Sequence, residues 1–178
     1  WSSDVCSSDL YPYMESFFGE NADKYRYAHF CEAVKTIPYL VSVDEFQHRV
    51  FEDPGSGPAD WRRFWKEIEQ KYMPWRDYDG NEFLESGGFW MQKQHIFLYP
   101  FYYIDYALAQ LGAFSLYRKQ VESGDAWENY LTLCSIGGKY GYFETLSRAG
   151  IPVPLDEEVV KSTAEFVEKQ IEVLKAKI

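Results

Sequence analysis

The chain has 178 residues, enough for about one domain, and 46% of them are hydrophobic and 19% aromatic, which excludes a protein that is disordered by composition. Its 18 basic and 28 acidic residues give a formal net charge of -10, so we predict no nucleic-acid partner and no membrane partner, and no apolar run reaches the roughly 18 residues that span a bilayer. Three cysteines without a CxxC pair exclude a disulfide scaffold and favour a reducing compartment, which we predict to be the cytoplasm.

The first ten residues differ from the rest of the chain. They read W-S-S-D-V-C-S-S-D-L, a polar, Ser-rich stretch that lacks a helical period and also lacks the basic and apolar regions of a signal peptide. This stretch resembles translated sequencing-adaptor read-through. We therefore interpret residues 1–10 as a foreign leader and residues 11–178 as one unit, with an ordinary flexible N-terminus as the alternative.

The remaining sequence is patterned for helices. Its apolar residues recur at spacings of three and four, which is typical of buried helix faces. Pro38 is expected to kink or end the first long helix, and the turn-rich segment 75–88 is predicted to be a loop. No segment alternates at period two for long enough to predict a strand, so the predicted fold class is all-α, with seven or eight helices. The predicted helical segments are 22–40, 43–51, 60–73, 89–120, 125–136, 140–149 and 156–178.

One segment concentrates the residues that could carry chemistry. Around Pro100, which suits the first turn of a helix, tyrosines recur at three and four residues, and a histidine lies one turn before the first of them. That spacing would place the phenols and the imidazole on one side of a helix. The residues of this predicted cluster are His95, Tyr99, Tyr102, Tyr103 and Tyr106.

A row of phenols beside an imidazole is a row of hydrogen-bond donors. A buried hydroxyl needs a partner, so phenylalanine would serve better for packing alone. Such donors could hold the carbonyls of a peptide or the oxyanion of a tetrahedral intermediate. The alternative is structural, because a tyrosine on a helix usually lies half-buried with its hydroxyl in water. No zinc-ligand spacing and no G-x-S-x-G element accompanies the cluster, so the residues alone contain no complete catalytic constellation.

Four stretches, in order along the chain, resemble the C-terminal part of the oligoendopeptidase F family. They are Y-P-Y-M-E-S-F-F-G-E, I-P-Y-L-V-S-V-D-E-F-Q-H-R-V-F-E-D-P, D-Y-D-G-N-E-F-L-E-S-G-G-F-W and Q-H-I-F-L-Y-P-F-Y-Y-I-D-Y-A-L-A-Q-L-G-A. That family comprises bacterial zinc metallopeptidases related to thimet oligopeptidase. The resemblance runs from Tyr11 nearly to the end of the chain. It implies the multi-helix C-terminal part of a larger helical metallopeptidase catalytic domain, acting on short peptides.

The resemblance also implies a zinc cofactor whose ligands are missing from this sequence. Members carry H-E-x-x-H on a helix, which supplies two zinc ligands and the glutamate that activates water, and a further glutamate ligand follows. Neither motif occurs here. The resemblance therefore predicts a gene fragment cut just downstream of its metal site, with zinc bound by the full-length parent and with this chain alone inactive.

The site roles implied by the resemblance fall on the predicted cluster. His95, Tyr103 and Tyr106 correspond to the catalytic residues that polarise the scissile carbonyl, and Tyr99 and Tyr102 to substrate-binding residues. The spacing between His95 and the tyrosines differs by one residue from the thimet pattern, so which of Tyr99, Tyr102 and Tyr103 contacts substrate stays open. We expect this cluster to border an exposed groove. The alternative function is a non-catalytic helical module that binds peptides or a partner protein.

Overall fold

The computed structural model describes residues 11–178, and the predicted foreign leader, residues 1–10, lies outside the described residues. Within residues 11–178 the regular structure is helical and contains no strand, which confirms the all-α prediction. The described residues form eight α-helices: α1 (Met14–Phe18), α2 (Ala22–Glu52), α3 (Pro58–Tyr72), α4 (Gln94–Leu98), α5 (Tyr103–Ser123), α6 (Ala126–Ile136), α7 (Tyr142–Arg148) and α8 (Glu157–Lys175). None of the described helices is long and apolar enough to cross a membrane.

Two compact units can be distinguished. One comprises residues 35–107, and the other comprises the described residues up to Val34 together with residues 108–178. The unit 35–107 is built around large aromatic rings from α2, α3 and the segment before α4. Trp65 is fully buried there, and Phe46 lies between Trp65 and Trp90, with ring centroids 5.6 and 4.9 Å away. The buried residues of this core are Val43, Phe46, Phe64, Trp65, Ile68, Trp90 and Ile96.

The other unit buries Phe30 and Phe114 together with many small aliphatic side chains. Its main cluster joins α5, α6 and α7 through Ala113, Leu116, Ala126, Leu146, Ala149 and Ile151. At its N-terminal end the Arg26 guanidinium is largely buried, and its Nε donates to the carbonyl oxygen of Tyr11 at 2.9 Å while Nη1 donates to Asp23 at 2.7 Å. This pairing compensates the buried charge and fixes the chain where it enters α1.

Pro38 does not end its helix, so the predicted segments 22–40 and 43–51 are one helix. Helix α2 continues through it as a single element from Ala22 to Glu52. A proline inside a helix removes one backbone hydrogen bond. Here the residues that follow bury their side chains in the core, with Leu40 at 6% and Val43 at 1% exposure, so packing outweighs the lost bond.

The predicted loop 75–88 contains a short π-helical turn, Leu84–Gly88, that packs on α3. Gly87 adopts φ 87°, and a Cβ at this position would lie 2.0 Å from the carbonyl oxygen of Arg62. Only glycine permits both the left-handed backbone and this close approach. Gly87 therefore marks a close contact between the backbones of this turn and α3.

The predicted helical stretch 89–120 is interrupted twice. A short turn of 3-10 helix, Phe89–Gln92, precedes α4, and α4 ends at Leu98, five residues before α5 begins. Pro100 lies in the connection between them and not in the first turn of a helix, so that expectation was wrong. A proline disfavours helical backbone at the residue before it, and Tyr99 has φ -136° and ψ 71°.

Two later helices begin with aspartates, which are also the first residues of the predicted segments 156–178 and 125–136. Asp156 accepts a hydrogen bond from the backbone N–H of Glu158 at the start of α8. Asp125 precedes α6, but its carboxylate makes no cap bond to that helix. The first amide of α6, Ala126, donates instead to the side-chain oxygen of Gln120 at 3.2 Å.

Candidate functional site

A tight turn between α4 and α5 sets the geometry of the predicted cluster. The backbone N–H of Tyr102 donates to the carbonyl oxygen of Tyr99 at 3.3 Å, with Pro100 and Phe101 between them. Phe101 has φ 62°. Proline at the second position, positive φ at the third and this closing bond are the features of a type II turn. The chain therefore reverses direction between His95 on α4 and Tyr103 on α5.

This turn brings all five predicted site residues together. We call His95, Tyr99, Tyr102, Tyr103 and Tyr106 the His95 face. The His95 ring stacks on Tyr102 with a centroid distance of 6.1 Å and an interplanar angle of 15°, and it lies 6.1 Å from Tyr99 and 5.2 Å from Tyr103. The rings of Tyr102 and Tyr106 meet edge-on at 5.2 Å. Helical spacing alone did not predict this arrangement, because Tyr99 and Tyr102 belong to the turn.

Two hydroxyl contacts organise the polar atoms of the His95 face. The Tyr106 hydroxyl donates to the Tyr102 hydroxyl at 3.0 Å, and the Tyr103 hydroxyl lies 3.4 Å from His95 Nδ1. A pair of hydroxyls holds two protons and uses one between them, so the Tyr102–Tyr106 pair keeps one O–H for a ligand. If the Tyr103 hydroxyl donates to Nδ1, the neutral imidazole carries its own proton on Nε2 and can donate it as well.

The His95 face is exposed to solvent. Tyr99, Tyr102 and Tyr106 are 60%, 42% and 45% exposed, while His95 and Tyr103 are half-buried. These side chains are therefore not sealed inside a core, whereas the expected groove beside them stays a prediction. A peptide in solution can therefore reach the hydroxyl and imidazole atoms.

The environment keeps two of the phenols protonated. The hydrogen bond with Tyr102 raises the pKa of Tyr106, with smaller contributions from burial and from the neighbouring phenols. Burial raises the pKa of Tyr103. Both groups therefore remain O–H donors at neutral pH, as oxyanion stabilisation requires.

The His95 face does not fit a metal ion. It offers one imidazole and four phenols, whereas zinc is held by clusters of histidine, cysteine and carboxylate ligands. Within residues 11–178 no group of three or more such residues is arranged to hold a metal. The zinc that the family resemblance implies therefore has no ligand set in the described part of the chain.

Sequence reasoning missed two residues that shape the site, Gln47 and Phe101. Gln47 is 3% exposed, and its side-chain amide bonds to the backbone at both ends of the turn region. The V-D-E-F-Q-H stretch carried the family resemblance but had no assigned role. A polar residue between apolar neighbours on the buried side of α2 was the available signal.

Three solved structures resemble this chain closely. An oligoendopeptidase F structure at 3.1 Å has 42% sequence identity and a TM-score of 0.91, over 98% of this chain and 31% of that chain. PZ peptidase A with an inhibitor has 41% identity and a TM-score of 0.92, over 99% and 32%. An oligoendopeptidase F from Bacillus anthracis str. Ames has 34% identity and a TM-score of 0.77, over 98% and 28%. No protein-family model and no curated protein sequence matches the chain.

The shared helical fold and the sequence identity relate this chain to structures that are named as peptidases. It belongs to the oligoendopeptidase F family, which confirms the resemblance found in the sequence. The chain spans about a third of the length of the first structures that it matches, 31% and 32% of those chains.

Proposed function

We propose that this chain is the part of an oligoendopeptidase F-type zinc peptidase that binds the scissile carbonyl and the backbone of short peptide substrates. The proposal rests on the His95 face, an exposed group of hydrogen-bond donors in a chain whose relatives are named as peptidases. The sequence holds no H-E-x-x-H motif, so the chain by itself is inactive in this proposal. We also propose that the complete enzyme is cytoplasmic.

The chemistry that this face can perform follows from its protons. When water adds to a peptide carbonyl, negative charge develops on the carbonyl oxygen, and donors already in place stabilise that charge. The catalytic roles fall to His95, Tyr103 and Tyr106. The Tyr103 hydroxyl lies 3.4 Å from His95 Nδ1, and the rings of Tyr103 and Tyr106 are 6.0 Å apart. Tyr99 and Tyr102, on the turn, bind the substrate backbone beside them. The hydrogen bond between the Tyr102 and Tyr106 hydroxyls is the observation that carries this proposal. Because either hydroxyl can donate to the other, Tyr106 can present its proton to the substrate while Tyr102 donates to Tyr106, and the pair stays intact.

The test uses the complete peptidase polypeptide that carries this segment. We expect His95→Ala and Tyr106→Phe each to lower kcat by about 10²–10³-fold, the usual effect of removing one oxyanion donor, with a much smaller change in KM. Tyr13→Phe is the matched control, since Tyr13 is an exposed tyrosine outside the His95 face, and it should leave kcat unchanged. Unchanged kcat in both His95→Ala and Tyr106→Phe would refute the assigned roles.

The metal part of the proposal has its own test. The reading frame upstream of Tyr11 should encode H-E-x-x-H, roughly 30 residues before it by the family arrangement. An intact upstream frame without this motif would contradict the assignment to a zinc peptidase. It would leave the donor geometry of the His95 face unaffected.

A second candidate function is a non-catalytic helical module that binds peptides. The absence of a metal-binding cluster within residues 11–178 favours it, together with an exposed tyrosine-rich face, because rigid phenol rings lose little entropy on binding. Calorimetric titration of this chain with short peptides distinguishes the two. Binding by this chain alone would favour the module, whereas no binding by this chain alone would favour the peptidase part, whose site the rest of the enzyme completes.

A further inference from the structure

The side chain of Gln47 on α2 bonds to two points of the segment that carries the His95 face, Ile96 on α4 and Phe101 in the turn. Its Nε2 donates to the carbonyl oxygen of Ile96 at 3.3 Å, and its Oε1 accepts the backbone N–H of Phe101 at 3.1 Å. The side chain is buried, at 3% exposure. Both halves of one amide are therefore used to hold the end of α4 and the turn in a fixed relation.

Phe101 is an unfavourable residue for its own backbone conformation. Its φ of 62° lies in the left-handed region, where the Cβ of a bulky residue crowds the backbone. The third position of a type II turn is normally glycine or asparagine for this reason. Backbone strain of this kind persists only where the surrounding structure over-determines it, and it concentrates at functional sites.

Helix α2 supplies the contacts that hold this conformation. While Gln47 binds the Phe101 N–H, the Phe101 ring packs against His48 at 4.8 Å and against Phe51 at 5.2 Å. His48 in turn pairs with Asp44, Nε2 to Oδ2 at 3.6 Å. Two residues of the V-D-E-F-Q-H stretch, Gln47 and His48, therefore contact the backbone and the ring of the strained Phe101.

We propose that Gln47 is a positioning residue for the reaction, because it keeps Phe101 in the left-handed conformation and thereby sets Tyr102 against His95. Tyr102 follows Phe101 directly, its ring stacks on His95, and its hydroxyl accepts a hydrogen bond from the Tyr106 hydroxyl. If the turn relaxed, the Tyr102 ring would leave this position. The catalytic part of this inference rests on the proposed function, whereas the structural part does not.

The test combines two substitutions in the complete peptidase. Gln47→Met keeps the length of the side chain but removes both hydrogen bonds, and we expect it to lower kcat by about tenfold or more. Phe101→Gly removes the strain, since glycine adopts positive φ freely. In the Phe101→Gly background the same Gln47→Met change should therefore cost less than about threefold, as expected for residues that act on one element. An equal loss in both backgrounds would overturn the inference.

Further measurements separate positioning from general destabilisation. Ser42→Ala is the matched control, because Ser42 is fully buried on the same helix and its hydroxyl donates to the carbonyl oxygen of Pro38 within that helix. It should leave kcat within about twofold. If Gln47→Met fails to fold, Gln47→Leu, which also lacks both polar atoms of the amide, replaces it under the same criteria.

A crystal structure of the Gln47 variant gives a readout independent of activity. We expect Phe101 to leave the left-handed region and the Tyr102 ring to leave His95; an unchanged turn would overturn the inference whatever the turnover. A rearranged turn with unchanged kcat would overturn the positioning role. The parallel His95→Ala variant then shows whether the proposed function fails as well.

Discussion

Two groups of aromatic rings in the unit 35–107 have similar contacts and opposite exposure. In the first, Phe46 lies 5.6 Å from Trp65 and 4.9 Å from Trp90, and Trp65 is fully buried. In the second, the His95 face, Tyr102 and Tyr106 lie 5.2 Å apart but are both more than 40% exposed. Ring contact by itself therefore does not identify a core.

The hydroxyl group explains why the two groups differ. The buried group, which we call the aromatic core, consists of Phe46, Phe64, Trp65 and Trp90, and none of these carries a hydroxyl. The His95 face carries four, and it keeps them where they can bond to each other, to His95 and to a ligand. Substitutions in the aromatic core should thus change stability, and hydroxyl deletions in the His95 face should change turnover.

The largest effect on stability is expected from Trp65→Ala. Trp65 is 0% exposed and contacts the rings of Phe46 and Phe89, so truncation leaves a large cavity. We expect a loss of about 3–5 kcal/mol in the free energy of unfolding, measured by urea denaturation. Trp75→Ala is the control, because Trp75 is 58% exposed, and it should change stability by less than about 0.5 kcal/mol. Similar losses in both variants would mean that Trp65 is not the centre of this core.

A smaller loss is expected from Tyr72→Phe, at the edge of the aromatic core. The Tyr72 hydroxyl donates to Glu45 Oε2 at 2.6 Å, and Lys71 Nζ approaches the same oxygen at 2.8 Å. Removing a bond to a partly exposed carboxylate should cost about 1–2 kcal/mol of unfolding free energy. Tyr102→Phe in the His95 face deletes a hydroxyl of the same kind but should cost less than about 0.5 kcal/mol, since Tyr102 is solvent-exposed. Equal losses would remove the distinction between the two groups.

The same bond predicts a dependence on pH. Desolvation raises the pKa of Glu45, but the hydrogen bonds from Lys71 and Tyr72 outweigh it, and the pKa is lowered overall. A carboxyl group with a lowered native pKa stabilises the fold above its unfolded pKa, about 4.3, and this contribution is lost as the pH falls through the native value. The stability lost between about pH 5 and pH 3 should therefore be smaller in Tyr72→Phe than in the unmodified protein. If the two proteins lose the same stability on acidification, Tyr72 does not influence this ionisation.

Local pattern was sufficient for much of the fold. The period of the apolar residues predicted α3 to within a few residues at each end, and Asp156 marked the start of α8 correctly. The joining of two predicted helices through Pro38 was missed, because burial of residues further along the helix decides it. Membership of the candidate cluster was also predicted from the sequence.

The geometry of the candidate cluster was not predictable in the same way. The turn depends on positive φ at Phe101, a residue type that gives no sign of this conformation. The partner that holds it, Gln47, lies 54 residues earlier in the chain. Periodicity reports on neighbours three and four residues apart, so it cannot reveal a contact of that sequence separation.

Tyr39 is an exception among the residues that pack on the aromatic core, because it carries a hydroxyl. Its ring meets Trp65 edge-on at 6.3 Å and Tyr103 at 6.2 Å. Among the described residues its buried hydroxyl has no hydrogen-bond partner. A buried polar group without a partner loses its bonds to water and gains none in return. We therefore expect Tyr39→Phe to be neutral or to raise the free energy of unfolding by up to about 1 kcal/mol at pH 7, opposite in sign to Tyr72→Phe.

The difference between Tyr39→Phe and the unmodified protein should grow in alkaline solution. Burial raises the pKa of Tyr39, the neighbouring Tyr103 adds to this, and Arg76 opposes it. Above about pH 10 the unfolded tyrosine loses its proton while the native one keeps it, so ionisation favours the unfolded chain as the pH rises. Phenylalanine has no proton to lose, and the variant should retain more stability than the unmodified protein, measured by urea unfolding at neutral and alkaline pH. A loss at pH 7 comparable to that of Tyr72→Phe would contradict this, since it would require a bound hydroxyl in a place where the aromatic core provides no acceptor.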